Sequence, residues 1–458
     1  MERNQPSRWD IFFYFFTLIF CYFVFNHTDI LSPAGSSFMY LSGHIKDFYG
    51  ANSKGFVNNY LPSSYILFAI WNLPLRLLGI ANTSAADAGY LIFWYKLLPT
   101  LFLAASSLWM YKIGRVIGLS GENSKLMTIL WLSSPVLFFG QFIFGQIDIF
   151  TVFFTLIGFY YFLQKRTGLF VLFFSFAFTF KYFPLFIFVP LLLLVEKRPL
   201  RLFIYLFLAL VPVGAEALFY GNSLDFVSKV VGFAGAAPRL FQAYLGVFPA
   251  VGIYLFPFVW FVICGICYYL DVPENKEDFY QVSCYICLAV LCALFILILW
   301  HPQWLVILTP FLTINLFMNK KIKCFLFLEF VMMFAFIGYN SSFFRMNVDQ
   351  QLFNKGILGS LNPDLFIPRE AIKMSTIFSP VEPGFAYFWN IYFTLICAIL
   401  LIFVLFNFPF KWNAWKGNDR LVPVGEYWNY ARLRFFGGLA VFIIPAFFVY
   451  FYTLSRCR

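Results

Sequence analysis

Charged residues are scarce in this chain. Only 12% of its 458 residues are Asp, Glu, Lys or Arg, three are His, and the 21 acidic residues are outnumbered by 32 basic ones. Because a soluble globular domain carries about 25% charged residues, a water-soluble fold is excluded. Few groups are left for acid–base chemistry, so each acid or His beside an apolar run is a candidate site residue.

Several catalytic motifs are also missing. The sequence has no G-x-S-x-G, no phosphate-binding P-loop and no H-E-x-x-H, so a hydrolase, an ATPase or a metalloprotease has no support. The nine Cys show no metal-binding spacing apart from the pairs Cys264/Cys267 and Cys284/Cys287. Both pairs lie inside apolar runs, where small thiols are usually packing residues. We therefore predict neither a metal site nor a disulfide.

Apolar residues are abundant instead. They make up 62% of the chain, 68 of them are Phe, and the mean hydropathy is +0.79. The first apolar run, 11–25, follows Arg3 and Arg8 and lacks a small-residue cleavage site, so it is interpreted as a retained membrane helix. The net charge of +11 comes from basic residues in short loops between apolar runs. Basic residues in such loops determine the membrane topology, so this charge does not indicate nucleic-acid binding.

The basic loops fix the expected topology. The positive-inside rule assigns all of them to the cytoplasmic side. Segment 88–112 then runs inward, so 26–88 is expected to be one long external loop with an amphipathic or re-entrant helix near 60–79. The basic residues used are Lys112, Arg115, Lys125, Lys165, Arg166, Lys197, Arg198, Arg201, Lys320, Lys321, Lys323, Lys411, Lys416, Arg420, Arg432 and Arg434.

The remaining apolar runs continue this alternation. The 30 residues between Arg166 and Lys197 are too long for one membrane helix, so two thin helices are expected to meet at Phe180-Lys181-Tyr182-Phe183-Pro184. Further external loops are expected at 221–245, around His301 and at 341–384. The predicted fold is an all-α polytopic membrane protein of about 11–13 transmembrane helices. Later spans are expected near 202–220, 246–270, 280–300, 303–318, 322–340, 385–409 and 434–454.

The polar tetrad Gly145-Gln146-Ile147-Asp148 separates two Phe-rich runs, each about as long as a membrane helix. A carboxylate at bilayer depth costs at least about 2.5–3.5 kcal/mol, so Asp148 is expected at an interface or a water-filled cavity, as a candidate site residue. The alternative is structural, because Gly145 can end one helix and Asp148 can cap the next. Gln146 adds a second polar side chain to a turn that needs one cap, which favours a function.

Asp29, in Asn26-His27-Thr28-Asp29, is the first carboxylate expected outside the membrane. An acid at the interface is a candidate general base, and partial desolvation is expected to raise its pKa. The alternative is that Asp29 caps a helix starting near Ser32.

Two cations and one tetrapeptide complete the candidates. Lys181 and Lys96 each either bind a phosphate or extend the ammonium to the interface, and phosphate binding is favoured for Lys181. In His301-Pro302-Gln303-Trp304, Pro302 and Trp304 suit the start of an interfacial helix. The His and Gln can hydrogen-bond a phosphate or a sugar, on which Trp304 can stack.

The order of these motifs resembles that of the GT-C superfamily of integral-membrane glycosyltransferases, especially bacterial mannosyltransferase-like members related to the GPI and dolichol-oligosaccharide transferases. The resemblance covers about residues 10–310 and implies a catalytic transmembrane module there, followed by a C-terminal module at 311–458. The motifs that carry it are Asp29, Tyr60-Leu61-Pro62, Lys96-Leu97-Leu98-Pro99, Ser134-Pro135, Gly145-Gln146-Ile147-Asp148, Lys181 and His301-Pro302-Gln303-Trp304.

The resemblance implies a sugar transfer with inversion at the extracytoplasmic face of the cell membrane, from a polyprenyl-phosphate sugar to a glycan or lipid-linked acceptor. Asp29 would be the catalytic base, although a second acid for a metal-dependent dyad is missing beside it. No cofactor or metal is expected. The substrate-binding residues are expected to be Gln146, Asp148, Lys96, Lys181, His301, Gln303, Trp304 and Arg345.

Two other functions stay open from the sequence. A transporter or flippase for lipid-linked saccharides also needs many spans, but it predicts charges near the membrane midplane and usually an internal repeat, which is not visible here. A polysaccharide polymerase is compatible with the basic loop at 341–384.

Overall fold

The chain is a helical, multi-pass membrane protein, as expected. Our computed structural model describes residues 6–50, 56, 58–81, 89–232, 239–248, 251–318, 321–343, 356–358, 374, 377, 388–409 and 427–456. Within these ranges the only strands are one short antiparallel pair. Many apolar side chains point outward, among them Phe16 at 58% exposure and Phe207 at 60%, so the outer surface contacts lipid.

The helices follow the apolar runs of the sequence. In chain order they are α1 (Arg8–Val24), α2 (Leu31–Leu41), α3 (Pro62–Leu77), α4 (Leu91–Val116), α5 (Gly121–Leu132), α6 (Pro135–Phe138), α7 (Asp148–Leu163), α8 (Thr167–Phe180), α9 (Pro184–Val195), α10 (Pro199–Tyr220), α11 (Leu224–Phe226), α12 (Leu255–Tyr269), α13 (Lys276–Leu297), α14 (Thr309–Phe317), α15 (Ile322–Phe343), α16 (Phe388–Asn407), α17 (Trp428–Arg432) and α18 (Gly438–Arg456).

Six of the described helical segments are long and apolar enough to cross a bilayer, or seven if α5 and the segment Pro135–Ile143, bent by 51°, form one span. The six are α4, α10, α13, α15, α16 and Trp428–Tyr452. Shorter apolar helices such as the 12-residue α9 reach only about 18 Å along their axes, less than the ~30 Å hydrocarbon core. The expected 11–13 crossings therefore require the shorter helices to cross as well.

The predicted hairpin between Arg166 and Lys197 is confirmed. Helix α8 ends at Phe180, Lys181 lies in the break, and Pro184 is the first residue of α9. Proline suits this position because it needs no hydrogen-bond partner for its nitrogen. Helix α7 packs against both α8 and α4, so Asp148 at the start of α7 and Lys181 at the end of α8 lie at the same end of the helix group.

The helix predicted near 60–79 is confirmed as α3. Its first turn is capped from another helix, because Glu216 of α10 accepts a 2.8 Å hydrogen bond from the backbone N–H of Ser63. The preceding loop is held to α10 by an aromatic cluster. Helix α2 is joined to α10 as well, because the hydroxyls of Tyr40 and Tyr220 lie 2.7 Å apart.

Two expectations about helix ends were wrong. The run 246–270 does not start as a helix: β1 (Tyr244–Phe248) and β2 (Val251–Tyr254) form a hairpin before α12 begins. Arg434, counted among the cytoplasmic loop cations, is fully buried and pairs with Glu329 of α15. Its guanidinium also donates to the hydroxyl of Ser133, at 2.9 Å, so Arg434 serves packing between helices.

The two expected modules share one hydrophobic core among the described residues. Phe25 at the end of α1 meets Phe442 of α18 edge to face, with ring centroids 5.4 Å apart. At the other end of α1, Asp10 accepts two hydrogen bonds from Arg432 of α17. The first described helix therefore packs against the last two. The division into modules at residue 310 stays a prediction.

Candidate functional site

The carboxylate of Asp29 is held between His27 and Gln146. It lies in a one-turn 3₁₀ helix, Thr28–Ile30, that joins α1 to α2. The amide nitrogen of Gln146 donates to Oδ2 of Asp29 at 2.7 Å, and Nδ1 of His27 lies 3.2 Å from Oδ1. The His27 ring stacks on Phe144, with centroids 3.9 Å apart. Because the Asp29 side chain is still 37% exposed, a substrate can reach it.

Helix capping does not explain either carboxylate. The N-cap of α2 is Ile30 and the N-cap of α7 is Ile147, and neither helix has a side-chain capping hydrogen bond. Asp29 and Asp148 instead bond to side chains far away in the chain. The capping alternative raised for both residues is therefore wrong, whereas Gly145 does follow the end of a helical segment, as that alternative expected.

The turn that presents Gln146 depends on Gly145. The helical segment before it ends in a π-helix, Phe139–Ile143, and Gly145 follows with φ +72°. This left-handed conformation is strained for residues with a Cβ, and it lets the backbone N–H of Gln146 bond to the carbonyl of Gly140 at 3.1 Å. The side chain of Gln146 is thereby fixed beside Asp29.

Asp148 and Lys181 form a buried ion pair. Nζ of Lys181 donates to Oδ1 of Asp148 at 2.6 Å, and their side chains are only 15% and 6% exposed. Such a pair is held apart from water by its surroundings, and losing one partner leaves an unpaired buried charge. The sequence placed both residues on one side of the membrane, and the structure brings them into contact.

Trp304 lies among three basic side chains. Nζ of Lys181 is 5.1 Å and Cζ of Arg239 is 5.3 Å from the centre of the Trp304 ring. The ring of His301 meets Trp304 with centroids 5.2 Å apart. Trp304 belongs to the 3₁₀ helix Pro302–Ile307, which packs against α7 and so brings this tryptophan to the Asp148–Lys181 pair. Lys181 and Arg239 therefore both lie beside the Trp304 ring.

Two titrating groups of the site that lie outside the spans, Asp29 and His301, have lowered pKa values. Burial raises the pKa of Asp29, but His27, His301 and the Gln146 amide lower it, and the net pKa lies below its ordinary value. Desolvation thus acts on the Asp29 pKa in the expected direction, but the neighbouring side chains outweigh it. Burial, with Arg239 and Lys181 nearby, lowers the pKa of His301 to about 4. At neutral pH Asp29 is ionised and His301 is neutral.

Three buried oxygen acceptors near this pair have no hydrogen-bond donor among the described residues: Oε1 of Gln146, Oδ2 of Asp148 and Oε1 of Gln303. Buried polar atoms are normally satisfied, so each of these atoms marks a place for a donor. All three need an O–H or N–H group. A ligand rich in hydroxyl groups meets this requirement.

Two residues of the site were missed in the sequence. Burial raises the pKa of Tyr60 well above its ordinary value, and the charges of Asp29 and Asp148 raise it further. Tyr60 therefore lies close to both carboxylates. Its place in Tyr60-Leu61-Pro62 was a usable signal. Arg239 follows Pro238 in the expected external loop 221–245, where it is a solitary arginine.

Lys96 is used by the fold. Its ammonium is 1% exposed and donates to the backbone carbonyls of Tyr22, Phe25 and Phe142 at 2.8, 2.8 and 2.9 Å. An ammonium has three protons, so none remains for a substrate. The structure therefore argues against the expected substrate-binding role of Lys96, which instead ties the end of α1 to the π-helix before Gly145.

We expect Lys96→Met to destabilise the protein without changing the affinity of the folded protein for its substrate. Three buried carbonyls lose their donor, and one such group costs about 1–3 kcal/mol. We therefore expect a loss of at least about 3 kcal/mol in unfolding free energy, measured as a lower thermal midpoint in detergent. Lys112→Met, at an exposed residue of α4, is the matched control. A weaker affinity in the folded fraction would contradict the structural role.

The remaining candidates from the sequence are Arg345 and the two pairs of Cys. Arg345 and most of the loop 341–384 lie outside the described residues. Cys264, Cys267, Cys284 and Cys287 are buried in α12 and α13. Within the described ranges, no group of three His, Cys, Asp or Glu side chains is arranged to hold a metal ion.

Comparison with known proteins adds no relative. No protein-family model, curated protein or solved structure matches this chain. The likeness to GT-C glycosyltransferases therefore rests on the sequence motifs and stays a prediction.

Proposed function

We propose that this protein is a membrane glycosyltransferase that moves a sugar from a polyprenyl-phosphate donor to the hydroxyl of a glycan or lipid-linked acceptor. One observation carries the proposal: an ionised carboxylate, Asp29, interacts electrostatically with Lys181, one of the two cations beside Trp304. The reaction needs these groups, because a proton leaves the acceptor hydroxyl while negative charge develops on the departing phosphate.

Asp29 is the proposed base. As the acceptor oxygen bonds to the anomeric carbon, its proton passes to a carboxylate oxygen of Asp29. The bond from the anomeric carbon to the phosphate oxygen breaks, and its electron pair stays with the phosphate. Attack from the face opposite the phosphate inverts the anomeric carbon. The hydrogen bond from Gln146 holds the carboxylate in one orientation during this step.

The phosphate is proposed to bind between Lys181 and Arg239. Both side chains carry a positive charge at neutral pH, so they stabilise the charge that develops on the leaving group. His301 was expected to hydrogen-bond a phosphate or a sugar. With a pKa near 4 it is neutral, and it can contribute a hydrogen bond only.

The sugar is proposed to lie against Trp304, which offers an aromatic face to its apolar side. Sugar hydroxyls are the donors that Gln146, Asp148 and Gln303 lack. Tyr60, close to both carboxylates, is proposed to border the acceptor side.

Product analysis tests this function. Purified protein in detergent is incubated with polyprenyl-phosphate hexoses and candidate acceptors, and mass spectrometry follows transfer of the hexose mass. We expect an acceptor gaining one hexose together with free polyprenyl phosphate. A transporter would instead leave the donor intact and move it between the leaflets of vesicles, so an intact donor with vesicle translocation would favour that rival.

We expect His301→Gln to leave the shape of the pH profile unchanged at neutral pH. Since the pKa of His301 is about 4, its neutral form predominates at all higher pH, and Gln is also neutral. The ratio of wild-type to variant turnover should stay constant between about pH 5 and 8, and change only as His301 gains its charge near pH 4. Turnover of both proteins is measured across this range. A change in the ratio near pH 6.5 would contradict the assignment.

A further inference from the structure

Three basic side chains line a cavity of about 360 Å³ at the far end of α7. Lys165 and Arg166 come from the turn between α7 and α8, and Lys276 is the first residue of α13. Asp148 begins α7, so this cavity is separated from the site described above by the length of a 16-residue helix, about 24 Å. It is a different part of the molecule.

The cations of this cavity have no counter-ion in the described part of the chain. None of the ion pairs there includes Lys165, Arg166 or Lys276, and all three residues are exposed. The first turn of α13 carries Glu277 and Asp278, but neither lines the cavity. The cavity therefore attracts an anion.

Lys165 is directed over the cavity by its backbone. It follows the C-cap of α7 with φ +58°, a conformation that favours glycine and costs another residue about 1–2 kcal/mol. Its Nζ lies 5.1 Å from the centre of the Phe279 ring, which forms part of the cavity wall. A charged side chain thus occupies a position where glycine would be less strained.

The surroundings of the cavity identify the anion. The apolar helices α7 and α8 and the span α13 all end beside it, and the polar turn between such helices lies at the bilayer surface. Lipid headgroups surround a cavity at this depth. A headgroup phosphate offers the oxygen acceptors that Lys and Arg bind best, and anionic lipids are attracted to basic clusters beside membrane helices.

We propose that this cavity binds the phosphate headgroup of an anionic membrane phospholipid. The cations of Lys165, Arg166 and Lys276 contact the phosphate oxygens, and the acyl chains lie outside against the apolar helices. The site is independent of the glycosyltransferase function.

This site can be tested with the full-length chain in detergent. Native mass spectrometry follows titration with phosphatidylglycerol and, separately, with phosphatidylcholine of the same acyl chains. Lys165→Gln/Arg166→Gln/Lys276→Gln is expected to weaken phosphatidylglycerol binding by about 150-fold, at about 1 kcal/mol per cation, and to leave phosphatidylcholine binding unchanged. The control Lys112→Gln/Arg115→Gln/Lys125→Gln removes the same charge from residues that do not line the cavity, and it should bind like the wild type.

Lys165→Gly separates binding from folding. Glycine relieves the left-handed backbone, so the thermal midpoint should not fall, whereas phosphatidylglycerol affinity should fall by about fivefold through the loss of one cation. Three results would overturn the proposal: equal binding of both lipids to the wild type, undiminished phosphatidylglycerol binding in the triple variant, or competition by inorganic phosphate as effective as that by the lipid. The last result would identify a free-phosphate site.

Discussion

Asp29→Asn is expected to lower sugar transfer by at least about 100-fold, at the lower end of the contribution of a general base. The amide keeps the size of the carboxylate, and its oxygen can still accept the hydrogen bond from Gln146. It cannot take a proton from an acceptor hydroxyl. Turnover with a polyprenyl-phosphate hexose is the measurement, and donor affinity and thermal midpoint should stay close to those of the wild type.

The chain offers a matched control for Asp29. Asp47 forms a similar contact with His44, with Nδ1 and Oδ2 3.0 Å apart, but this pair is exposed and lies outside the site. Asp47→Asn should therefore turn over like the wild type. If Asp29→Asn also retained full turnover, Asp29 would be reduced to a residue that orders the turn after α1, and the proposed base would have to be sought elsewhere.

Local features of the fold could be predicted from the sequence where a residue type has a strong backbone preference. Pro62 and Pro184 start helices because proline suits the first helical position, which agrees with the helix predicted near 60–79 and with the break predicted at 180–184. The break at Lys181 followed from the length of an apolar run. By contrast, the strands Tyr244–Phe248 and Val251–Tyr254 were missed, because their apolar residues run without a polar break into α12.

Contacts between residues far apart in the chain could not be predicted from the sequence. Asp148 and Lys181 are 33 positions apart, and their pairing depends on how α7 packs against α8. Lys96 is bound by backbone carbonyls, which every residue carries and which leave no mark in a sequence. Arg434 looked like a loop cation because its partner, Glu329, is over a hundred residues away. Sequence identified most of the polar groups, whereas packing decided which of them serve the fold.

The Asp148–Lys181 pair complicates any test of the phosphate site, since removing one partner does two things. Lys181→Met removes a cation from the site, which should weaken donor binding by about 1.5–3 kcal/mol. It also leaves the Asp148 carboxylate buried without its partner, and breaking such a pair typically costs about 3–5 kcal/mol of stability. A single variant therefore cannot tell a binding residue from a structural one.

The double variant Asp148→Asn/Lys181→Met separates the two effects. Both side chains are then neutral, so no unpaired charge is buried, and we expect a thermal midpoint close to that of the wild type. Donor binding, measured by titration with a polyprenyl-phosphate hexose in detergent, should stay as weak as in Lys181→Met. The exposed pair Glu122–Lys125, 3.0 Å apart, gives the control Glu122→Gln/Lys125→Met, which should change neither quantity.

Comparing the wild type with Lys181→Met and with the double variant decides which role Lys181 has. If the double variant regains both stability and donor affinity, Lys181 acts only by neutralising Asp148, and Arg239 alone remains as a phosphate-binding cation. If stability returns while affinity stays low, the charge of Lys181 itself contributes to donor binding. We expect the second result, because Nζ of Lys181 lies between the Asp148 carboxylate and the face of Trp304, 2.6 Å from the first and 5.1 Å from the centre of the second, where a donor phosphate is proposed to bind.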